Sequence, residues 1–476
     1  MKNFIGREKE LEEIRDLLEI DSANLVVIRG RRRIGKSRLI REFGSSLPSL
    51  FFSGVPPTKK TTANSERAEF ARQMEYLLKI KNPNSSDWSL LFRELAAHTR
   101  EGRVVIVLDE ISWLGSKDSD FLGKLKNAWD LEFSHNPQLI LFLCGSVSSW
   151  IERNILSSTG FVGRISLNMK IKELPLEDAC QFWKSQKNRI DPYEIFKTLS
   201  ITGGIPRYLE EIAPHRSAEE NINRICFKES GILFDEFERI FNDLFSTRAP
   251  IYTKILLNMC DKSIFLKDIY KVIGVEPSGS YAEYMDDLDQ AGFIARDYTW
   301  DIKTGKDSNL SRFRISDNYV RFYLKSILPN KAKILAGNYD TNSLFHRENW
   351  KTTLGLQFEN LVLNNIQSLY KQLKLSPGDV MRSGPYFQRA SSKKKGCQID
   401  LLIQTYHRIL YLVEIKFSQD KISNSVKKEI QQKIDHLALP RGFSVKPVLV
   451  HVNGVAENFH LDRFFSHVID FSSLLK

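Results

Sequence analysis

The sequence predicts an α/β protein made of several domains, and two features of its hydrophobic pattern support this fold class. Three short apolar runs in the first 170 residues alternate with segments of helical periodicity, which is typical of parallel strands joined by helices. These runs lie at 25–28, 104–108 and 139–143. A second α/β pattern begins near residue 352, where a predicted helix over 354–370 precedes three runs of strand character. They lie at 398–404, 409–417 and 446–452.

Local patterns place the first elements. Residues 8–20 predict a helix because four apolar residues, at positions 11, 14, 17 and 18, recur at helical spacing between charges. The run at 25–28 is a buried strand that ends in a glycine-rich turn, and helical periodicity resumes over 38–43. The segment from 173 to 330 is mostly helical.

Within that helical segment, the pattern changes from helix to strand. Three short helices are predicted at 251–259, 266–273 and 281–291, followed by two strands around a polar loop at 301–308. Three helices followed by a β-ribbon is the layout of a winged helix. The third helix carries four acids, which would repel phosphate, so contact with DNA through that helix is disfavoured and a protein-interaction role stays open.

Composition and charge exclude several classes of protein. The 476 residues have the composition of a globular chain with room for about three domains, and no apolar run reaches the length of a membrane span. The first residues lack the apolar core of a signal peptide, and the five cysteines never form a C-x-x-C spacing. We therefore expect a reducing, cytoplasmic location, no membrane association, and any metal held by carboxylates.

The net charge of +11 is concentrated near the carboxyl end. Residues 341–476 hold 19 Lys and Arg against 11 Asp and Glu, whereas the rest of the chain is nearly balanced. Such an asymmetry favours a nucleic-acid surface in the last quarter of the chain.

A phosphate-binding motif follows the first predicted strand. Residues 30–37 read Gly30-Arg31-Arg32-Arg33-Ile34-Gly35-Lys36-Ser37, which is the G-x-x-x-x-G-K-S pattern of a P-loop, and Arg38 continues into the helix. The glycines let backbone N–H groups turn toward phosphate oxygens at the start of a helix. Lys36 can reach the terminal phosphates of ATP, and the Ser37 hydroxyl can ligate Mg²⁺. ATP and Mg²⁺ are therefore the expected cofactors.

The strand at 104–108 ends in two carboxylates, Asp109 and Glu110. Asp109 is placed to hold the Mg²⁺ shell, and Glu110 is placed to polarise a water molecule for attack on the γ-phosphate. An apolar run ending in two acids is weak evidence alone, but its position about 75 residues after a P-loop strengthens the assignment.

These motifs, together with Phe4-Ile5-Gly6-Arg7-Glu8 and Cys144-Gly145-Ser146, resemble the archaeal-type ATPase family of the AAA+ and STAND group. The resemblance implies that Ile5 and Arg7 lie near the adenine and that Ser146 senses the γ-phosphate. It also implies that Arg164, in Gly163-Arg164, is an arginine finger or sensor, although a surface charge is the alternative. Gly203-Gly204-x-Pro206-x-Tyr208 resembles the motif of a helical lid.

A second group of chemically active residues lies near the carboxyl end. Asp400 falls in one predicted strand, and Glu414 and Lys416 fall in the next, where alternation puts both on one face. Two carboxylates can hold a divalent cation, and a lysine can orient or deprotonate a water molecule. Glu359, on the preceding helix, could add a third carboxylate.

This order of elements resembles the core of PD-(D/E)xK nucleases, which archaeal-type ATPases commonly carry at the carboxyl end. Gln398 stands where related proteins often have an acid, which makes the expected metal site less anionic. An inactive nuclease scaffold, or a hairpin with an ordinary salt bridge, are the alternatives. The loop residues Lys393, Lys394 and Lys395 precede the Asp400 strand and could bind a phosphate backbone, with a solvated loop as the alternative.

The predicted organisation has five parts: a P-loop ATPase core (1–172), a helical lid (173–245), a winged-helix-like region (246–330), a linker (331–350) and a nuclease-like domain (351–476). The leading hypothesis is an ATP-hydrolysing switch that controls a DNA-directed nuclease-like domain. The alternatives are a regulatory scaffold that binds DNA or protein without cutting, and a slow signalling ATPase that forms homo-oligomers when activated.

Overall fold

The computed structural model describes residues 4–274, 279–339, 348–390, 392, 395–459 and 462–476. The chain divides into two compact units, Met1–Glu173 and Leu174–Lys476, here called the N-terminal and C-terminal units. No helix in the described ranges is both long and apolar enough to cross a membrane.

The N-terminal unit contains a sheet of five parallel strands in the order β2-β3-β4-β1-β5. The strands are β1 (Asn24–Gly30), β2 (Ser49–Ser53), β3 (Val104–Asp109), β4 (Leu139–Gly145) and β5 (Ile165–Ile171). The helices are α1 (Glu8–Arg15), α2 (Lys36–Phe43), α3 (Ala63–Leu78), α4 (Trp88–His98), α5 (Ile111–Leu114), α6 (Phe121–Leu131) and α7 (Ser148–Ile151). This sheet confirms the predicted α/β class.

The three predicted strands of this unit are its central ones. The apolar residues of β1, β3 and β4 are buried, as expected for strands covered by helices on both faces. The two strands that the hydrophobic pattern did not predict, β2 and β5, are the edges of the sheet. β5 alternates polar and apolar residues and is only partly buried, so it lacks the continuous apolar run of a central strand.

The first half of the C-terminal unit is helical and then turns into a β-ribbon. The helices are α8 (Leu176–Ala179), α9 (Pro192–Thr202), α10 (Pro206–Leu209), α11 (Ala218–Cys226), α12 (Glu236–Phe245), α13 (Ala249–Met259), α14 (Leu266–Ile273) and α15 (Gly279–Gln290). The antiparallel ribbon consists of β6 (Ile294–Trp300) and β7 (Asp307–Ile315). Three helices followed by a ribbon therefore lie where the sequence predicts them.

A mixed sheet in the order β12-β11-β10-β9-β8 forms the rest of the C-terminal unit. Its strands are β8 (Val380–Gln388), β9 (Cys397–Thr405), β10 (Ile409–Lys416), β11 (Ser444–His451) and β12 (His467–Asp470). β10 runs parallel to β11 and antiparallel to β9. The accompanying helices are α16 (Asn318–Phe322), α17 (Lys331–Leu335), α18 (Glu348–Asn364), α19 (Ile366–Leu373) and α20 (Ser425–His436).

One predicted helix is two helices. The pattern from 354 to 370 reads as continuous, but α18 ends at Asn364 and α19 begins at Ile366. Asn365 between them donates its side-chain amide to the Leu361 carbonyl at 2.8 Å and accepts a hydrogen bond from the backbone of Leu176 at 3.0 Å. These hydrogen bonds fix the backbone where α18 ends and α19 begins. They do not change the spacing of apolar residues, so the hydrophobic pattern does not reveal the break.

The β-ribbon and the mixed sheet share one hydrophobic core. Trp300 and Ile302 of the ribbon segment pack with Ile399, Leu402 and Leu412 of the sheet. Gln404 of β9 accepts a hydrogen bond from the Trp300 indole at 2.7 Å and donates one to the Ile302 carbonyl at 2.8 Å. The ribbon is therefore fixed to the sheet. The predicted linker between these regions includes residues 340–347, which lie outside the described residues.

We expect Gln404→Met to destabilise the C-terminal unit by ~2–4 kcal/mol, because it leaves a buried indole N–H and a buried carbonyl without partners. Urea unfolding of the full chain, followed by tryptophan fluorescence, measures the loss. Gln432→Met, at an exposed position of α20, is the matched control. Equal unfolding midpoints for the two variants would contradict the shared core.

Candidate functional site

The loop between β1 and α2 has the backbone conformation of a phosphate cradle. Gly35 adopts a φ of 94° at the start of α2, and Arg33 adopts a φ of 72°. A side chain on Gly30 would come within 2.5 Å of the Ile171 carbonyl oxygen, so only glycine fits there. The first N–H groups of α2 have no carbonyl partner within the helix and are available to an anion.

Two basic side chains stabilise this loop. The Lys36 ammonium is buried and donates to the carbonyls of Gly30 at 2.9 Å and Arg31 at 3.2 Å. Arg7 is also buried and donates to the carbonyl of Ile34 at 3.4 Å and to that of Lys172. Arg7 thus links the loop to the segment after β5.

Of the other residues predicted at this site, Arg31, Arg32, Arg33 and Ile34 lie within the loop, Arg38 lies in α2, and Ile5 precedes α1. Ile5 and Arg38 are half-buried, Arg31 is buried and Arg33 is exposed. The guanidinium of Arg32 lies 5.5 Å from the centre of the Trp113 ring.

Ser37 and Asp109 meet although 72 residues separate them in the chain: the Ser37 hydroxyl donates to an Asp109 carboxylate oxygen at 2.7 Å. Hydroxyl and carboxylate oxygens at the rim of a phosphate loop are the ligands that Mg²⁺ takes in nucleotide sites. The residues present therefore fit the expected cation.

Glu110 is held by Ser146. Its backbone adopts a φ of 51°, a left-handed conformation that is costly for a residue other than glycine. The Ser146 hydroxyl lies 2.9 Å from both carboxylate oxygens of Glu110, and the Ser146 backbone N–H donates to one of them at 3.1 Å. β4 lies between β1 and β3, which places Ser146 between the loop and the two acids.

Arg164 lies away from this group. It directly precedes β5, whose first residue pairs with Leu25 at the amino end of β1. The loop follows the other end of β1, about 20 Å along the strand. The Arg164 guanidinium forms two hydrogen bonds with Asp130, at 2.7 and 2.9 Å, and holds the pKa of Asp130 down at about 2. A role for Arg164 in hydrolysis stays a prediction and would require a neighbouring copy of the chain.

In the C-terminal unit, Asp400 and Glu414 lie where two paired strands separate. The pairing of β9 with β10 ends at Leu401 and Val413. Beyond that point the Asp400 carboxylate accepts a hydrogen bond from the Ile415 backbone N–H at 3.0 Å, in place of a ladder bond. The structure thus brings the two predicted carboxylates together at this fork.

The lysine between these carboxylates is Lys433, from α20. Its ammonium lies 2.5 Å from a Glu414 oxygen and 3.7 Å from an Asp400 oxygen. Burial lowers the pKa of Lys433, but the charges of Asp400 and Glu414 outweigh it and raise that pKa overall. The predicted Lys416 instead pairs with Glu429 at 2.9 Å, and both of those side chains are exposed.

Glu359 on α18 lines the same narrow cleft as Asp400. Burial raises the pKa of Glu359 and of Glu414 above the usual range of a carboxyl group, and the charge of Asp400 adds to both shifts. Within the described residues, no three His, Cys, Asp or Glu side chains form a group able to hold a metal ion. In this conformation Glu359 does not complete a site with Asp400 and Glu414.

Sequence reasoning placed Lys416 beside the carboxylates and missed Lys433. Periodicity gives a weak signal, because Lys433 lies three residues after the buried Ile430 and so near the buried side of α20. Of the lysine loop before Asp400, Lys393 and Lys394 lie outside the described residues, and Lys395 is exposed.

Comparisons with known proteins agree with the geometry of the N-terminal unit. Residues 4–212 match a protein family described as an ATPase domain predominantly from Archaea. An uncharacterized protein of Methanocaldococcus jannaschii, MJECL04, is 24% identical over 429 residues, which cover 89% of this chain and 90% of the relative. The similarity therefore extends well beyond the ATPase domain.

The alignment with one solved structure shows the fold. The Walker-type ATPase PABY2304 of Pyrococcus abyssi aligns with a TM-score of 0.52 and 19% identity, covering 68% of this chain and 96% of that one. The Aeropyrum pernix ORC2 protein, in complexes with ADPNP and ADP, aligns with a TM-score of 0.41 and 13% identity, covering 71% of this chain and 97% of that one. The family match over residues 4–212, the loop geometry and the fold shared with the Pyrococcus abyssi protein support a P-loop ATPase domain in this part of the chain.

Proposed function

We propose that the chain is an ATP-hydrolysing switch that controls a DNA-directed, metal-dependent nuclease-like region. The observation that carries this proposal is the meeting of Asp400 and Glu414 at the fork of β9 and β10, beside a cleft lined by Arg312 and Arg314. Paired carboxylates next to cationic side chains suit hydrolysis of a phosphodiester.

The contacts of α9 provide a route between the two activities. The ATPase family match ends at residue 212 and so includes α9. Phe196 of α9 packs within 5.5 Å, between ring centres, of Phe358 on α18 and of Phe417 just after β10. These two elements carry Glu359 and Glu414. A displacement of α9 during the ATP cycle would therefore act directly on the candidate cleavage site.

In the proposed ATPase cycle, Lys36 and the N–H groups of the loop bind the phosphates, and Ser37 and Asp109 would hold a magnesium ion. Mg²⁺, when bound, neutralises phosphate charge. Glu110 orients the attacking water molecule. Ser146 holds Glu110 until nucleotide is present, because its hydroxyl already lies against both oxygens of that carboxylate.

In the nuclease-like region, Asp400 and Glu414 are the proposed cation ligands, and Lys433 takes the place that Lys416 has in the sequence pattern. α13 to α15 with the ribbon form a winged-helix-like module that is fixed to the mixed sheet. The predicted boundaries at 172, 245, 330 and 350 are part of this proposal. The proposal also includes homo-oligomers. Because Arg164 lies far from the phosphate loop of its own chain, it could contact only a nucleotide bound to a second copy.

A non-cutting regulatory scaffold is the second candidate, and Lys433 is the observation that favours it. An ammonium already neutralises Glu414 at 2.5 Å, and within the described residues the carboxylates do not assemble a three-ligand metal site.

For the ATPase, we expect Glu110→Gln to retain ATP binding and to slow hydrolysis by about a hundredfold or more, because the water molecule loses its base. Lys36→Ala is the matched comparison and should lose most nucleotide affinity. Binding of a fluorescent ATP analogue and phosphate release measure the two effects. A fully active Glu110→Gln variant would mean that another residue positions the water molecule.

For the nuclease-like region, we expect the full chain with Mg²⁺ to nick supercoiled plasmid, and Glu414→Gln to slow nicking roughly a hundredfold or more. ATP should change the rate of the unsubstituted chain. Glu457→Gln, an exposed carboxylate of the same unit, is the control. If plasmid stays intact while ATP is hydrolysed normally, the scaffold candidate replaces this proposal.

The two lysines give a separate test. Lys433→Met should reduce plasmid nicking about a hundredfold, whereas Lys416→Met should leave it nearly unchanged, because only Lys433 contacts the carboxylates. The reverse order of effects would return the role to Lys416. Faster nicking by Lys433→Met would show that this lysine only blocks the cation.

A further inference from the structure

A cluster of arginine and aromatic side chains, here called the arginine–aromatic cluster, lies where the ribbon meets the mixed sheet. The Arg312 guanidinium of β7 lies 4.7 Å from the centre of the Phe265 ring and 4.5 Å from that of Phe387. Arg389, just after β8, lies 5.0 Å from the Phe265 ring. The two ring centres lie only 6.2 Å apart, so both rings pack against one part of the guanidinium and restrict its movement. The terminal N–H groups of Arg312 remain able to form hydrogen bonds.

The positive charge of this cluster is not neutralised within the described residues. Arg312 donates to the neutral side chain of Gln398 at 2.9 Å, and its Nε is buried without a hydrogen-bond partner. Neither Arg312 nor Arg389 forms an ion pair in the described part of the chain. Nearby Asp297 is already paired with Arg314 at 2.9 Å.

Burial, and then the like charge of Arg389, lower the pKa of Arg312. Holding two guanidinium groups together and partly out of water costs free energy that an anion would return.

The cluster is continuous with the candidate cleavage site. Arg312, Phe387 and Gln398 line the same cleft as Glu359 and Asp400. The region from 341 onward also carries an excess of eight basic residues over acidic ones. An anion held by Arg312 would therefore lie beside the carboxylates.

We propose that the arginine–aromatic cluster, Phe265, Arg312, Phe387 and Arg389, binds the phosphodiester backbone of DNA and leads the strand into the acidic cleft. This inference rests on the proposed function for the nature of the ligand. A fixed planar guanidinium matches a phosphate with two parallel hydrogen bonds, and the long anionic backbone can contact both arginines.

Gln398 sets the charge of this surface. An acid at this position would pair with Arg312 and remove its attraction for phosphate. The neutral amide holds the same guanidinium at 2.9 Å without cancelling its charge. Gln398→Glu changes the shape of an exposed side chain very little. The added negative charge should pair with Arg312 and prevent the binding of phosphate.

The test measures DNA binding without cleavage. Every protein is the full chain carrying Glu414→Gln, in EDTA, and the probe is a short fluorescent DNA duplex titrated over a series of salt concentrations. Gln398→Glu and Arg312→Met should each weaken binding about tenfold at low salt. Each should also lower the slope of log affinity against log salt by about 0.9, the value for one lost phosphate contact.

Arg408→Asn is the matched control, because it removes an exposed arginine in the turn after β9, about 24 Å along that strand from Gln398. Asparagine suits the φ of 59° at this position. The control should leave both affinity and slope unchanged.

Unchanged binding by Gln398→Glu, or absence of DNA binding by the parent protein, would overturn this inference. Gln398→Glu decides the matter even if Arg312→Met fails to fold. Plasmid that is bound through the cluster but never cut would refute the nuclease proposal alone.

Discussion

The N-terminal unit depends on one constraint, the position of β4 between β1 and β3. Because β4 pairs in parallel with both neighbours, the carboxyl ends of all three strands lie at the same edge of the sheet. Gly30 and Asp109 are the last residues of β1 and β3, and Ser146 follows β4, so residues far apart in the chain become neighbours. The Ser37–Asp109 and Ser146–Glu110 hydrogen bonds are consequences of this strand order. The hydrophobic pattern predicts an α/β sheet but does not specify the order of its strands.

The C-terminal unit depends on a buried polar network that joins three of its elements. Asn360 of α18 donates to the Ile315 carbonyl at 2.8 Å and accepts from Arg314 at 2.7 Å. Arg321 of α16 is fully buried and bonds to the Gln357 side chain at 2.8 Å. Loss of any one of these bonds would leave a buried polar group without its partner, so the bonds depend on one another. Glu359 lies within this network, between Gln357 and Asn360, so its position depends on the ribbon and on α16.

The sequence was most informative where one property is repeated over several neighbouring residues. The central strands β1, β3, β4, β9, β10 and β11 were predictable because helices or neighbouring strands bury them on all sides. Four strands were not predicted, and all of them are edge strands of their sheets: β2, β5, β8 and β12. One side of an edge strand has no neighbouring strand, so polar residues are tolerated there and interrupt the apolar run. The P-loop was predictable because its chemistry is local, with all phosphate-binding groups within eight consecutive residues.

The C-terminal site was only partly predictable. Tertiary packing, and not the spacing of residues in the sequence, determines which lysine contacts the two carboxylates. Alternation along β10 puts Lys416 on the same face as Glu414, but the pairing of β10 with β9 ends just before, and the Lys416 side chain extends to Glu429. α20 then brings Lys433 onto the carboxylates from 19 residues away in sequence. No pattern within one strand contains that information.

The two sites differ in what holds their acids. Asp109 and Glu110 are hydrogen-bonded by neutral hydroxyls, and the Ser37 hydroxyl can stay as a ligand when a cation arrives. Asp400 and Glu414 are held by an ammonium, which a divalent cation must displace or share. An ammonium in low dielectric competes strongly for the same oxygens. A cation that binds in the C-terminal unit must therefore compete with Lys433 for the Glu414 carboxylate, whereas no charged group among the described residues competes for Asp109 in this way.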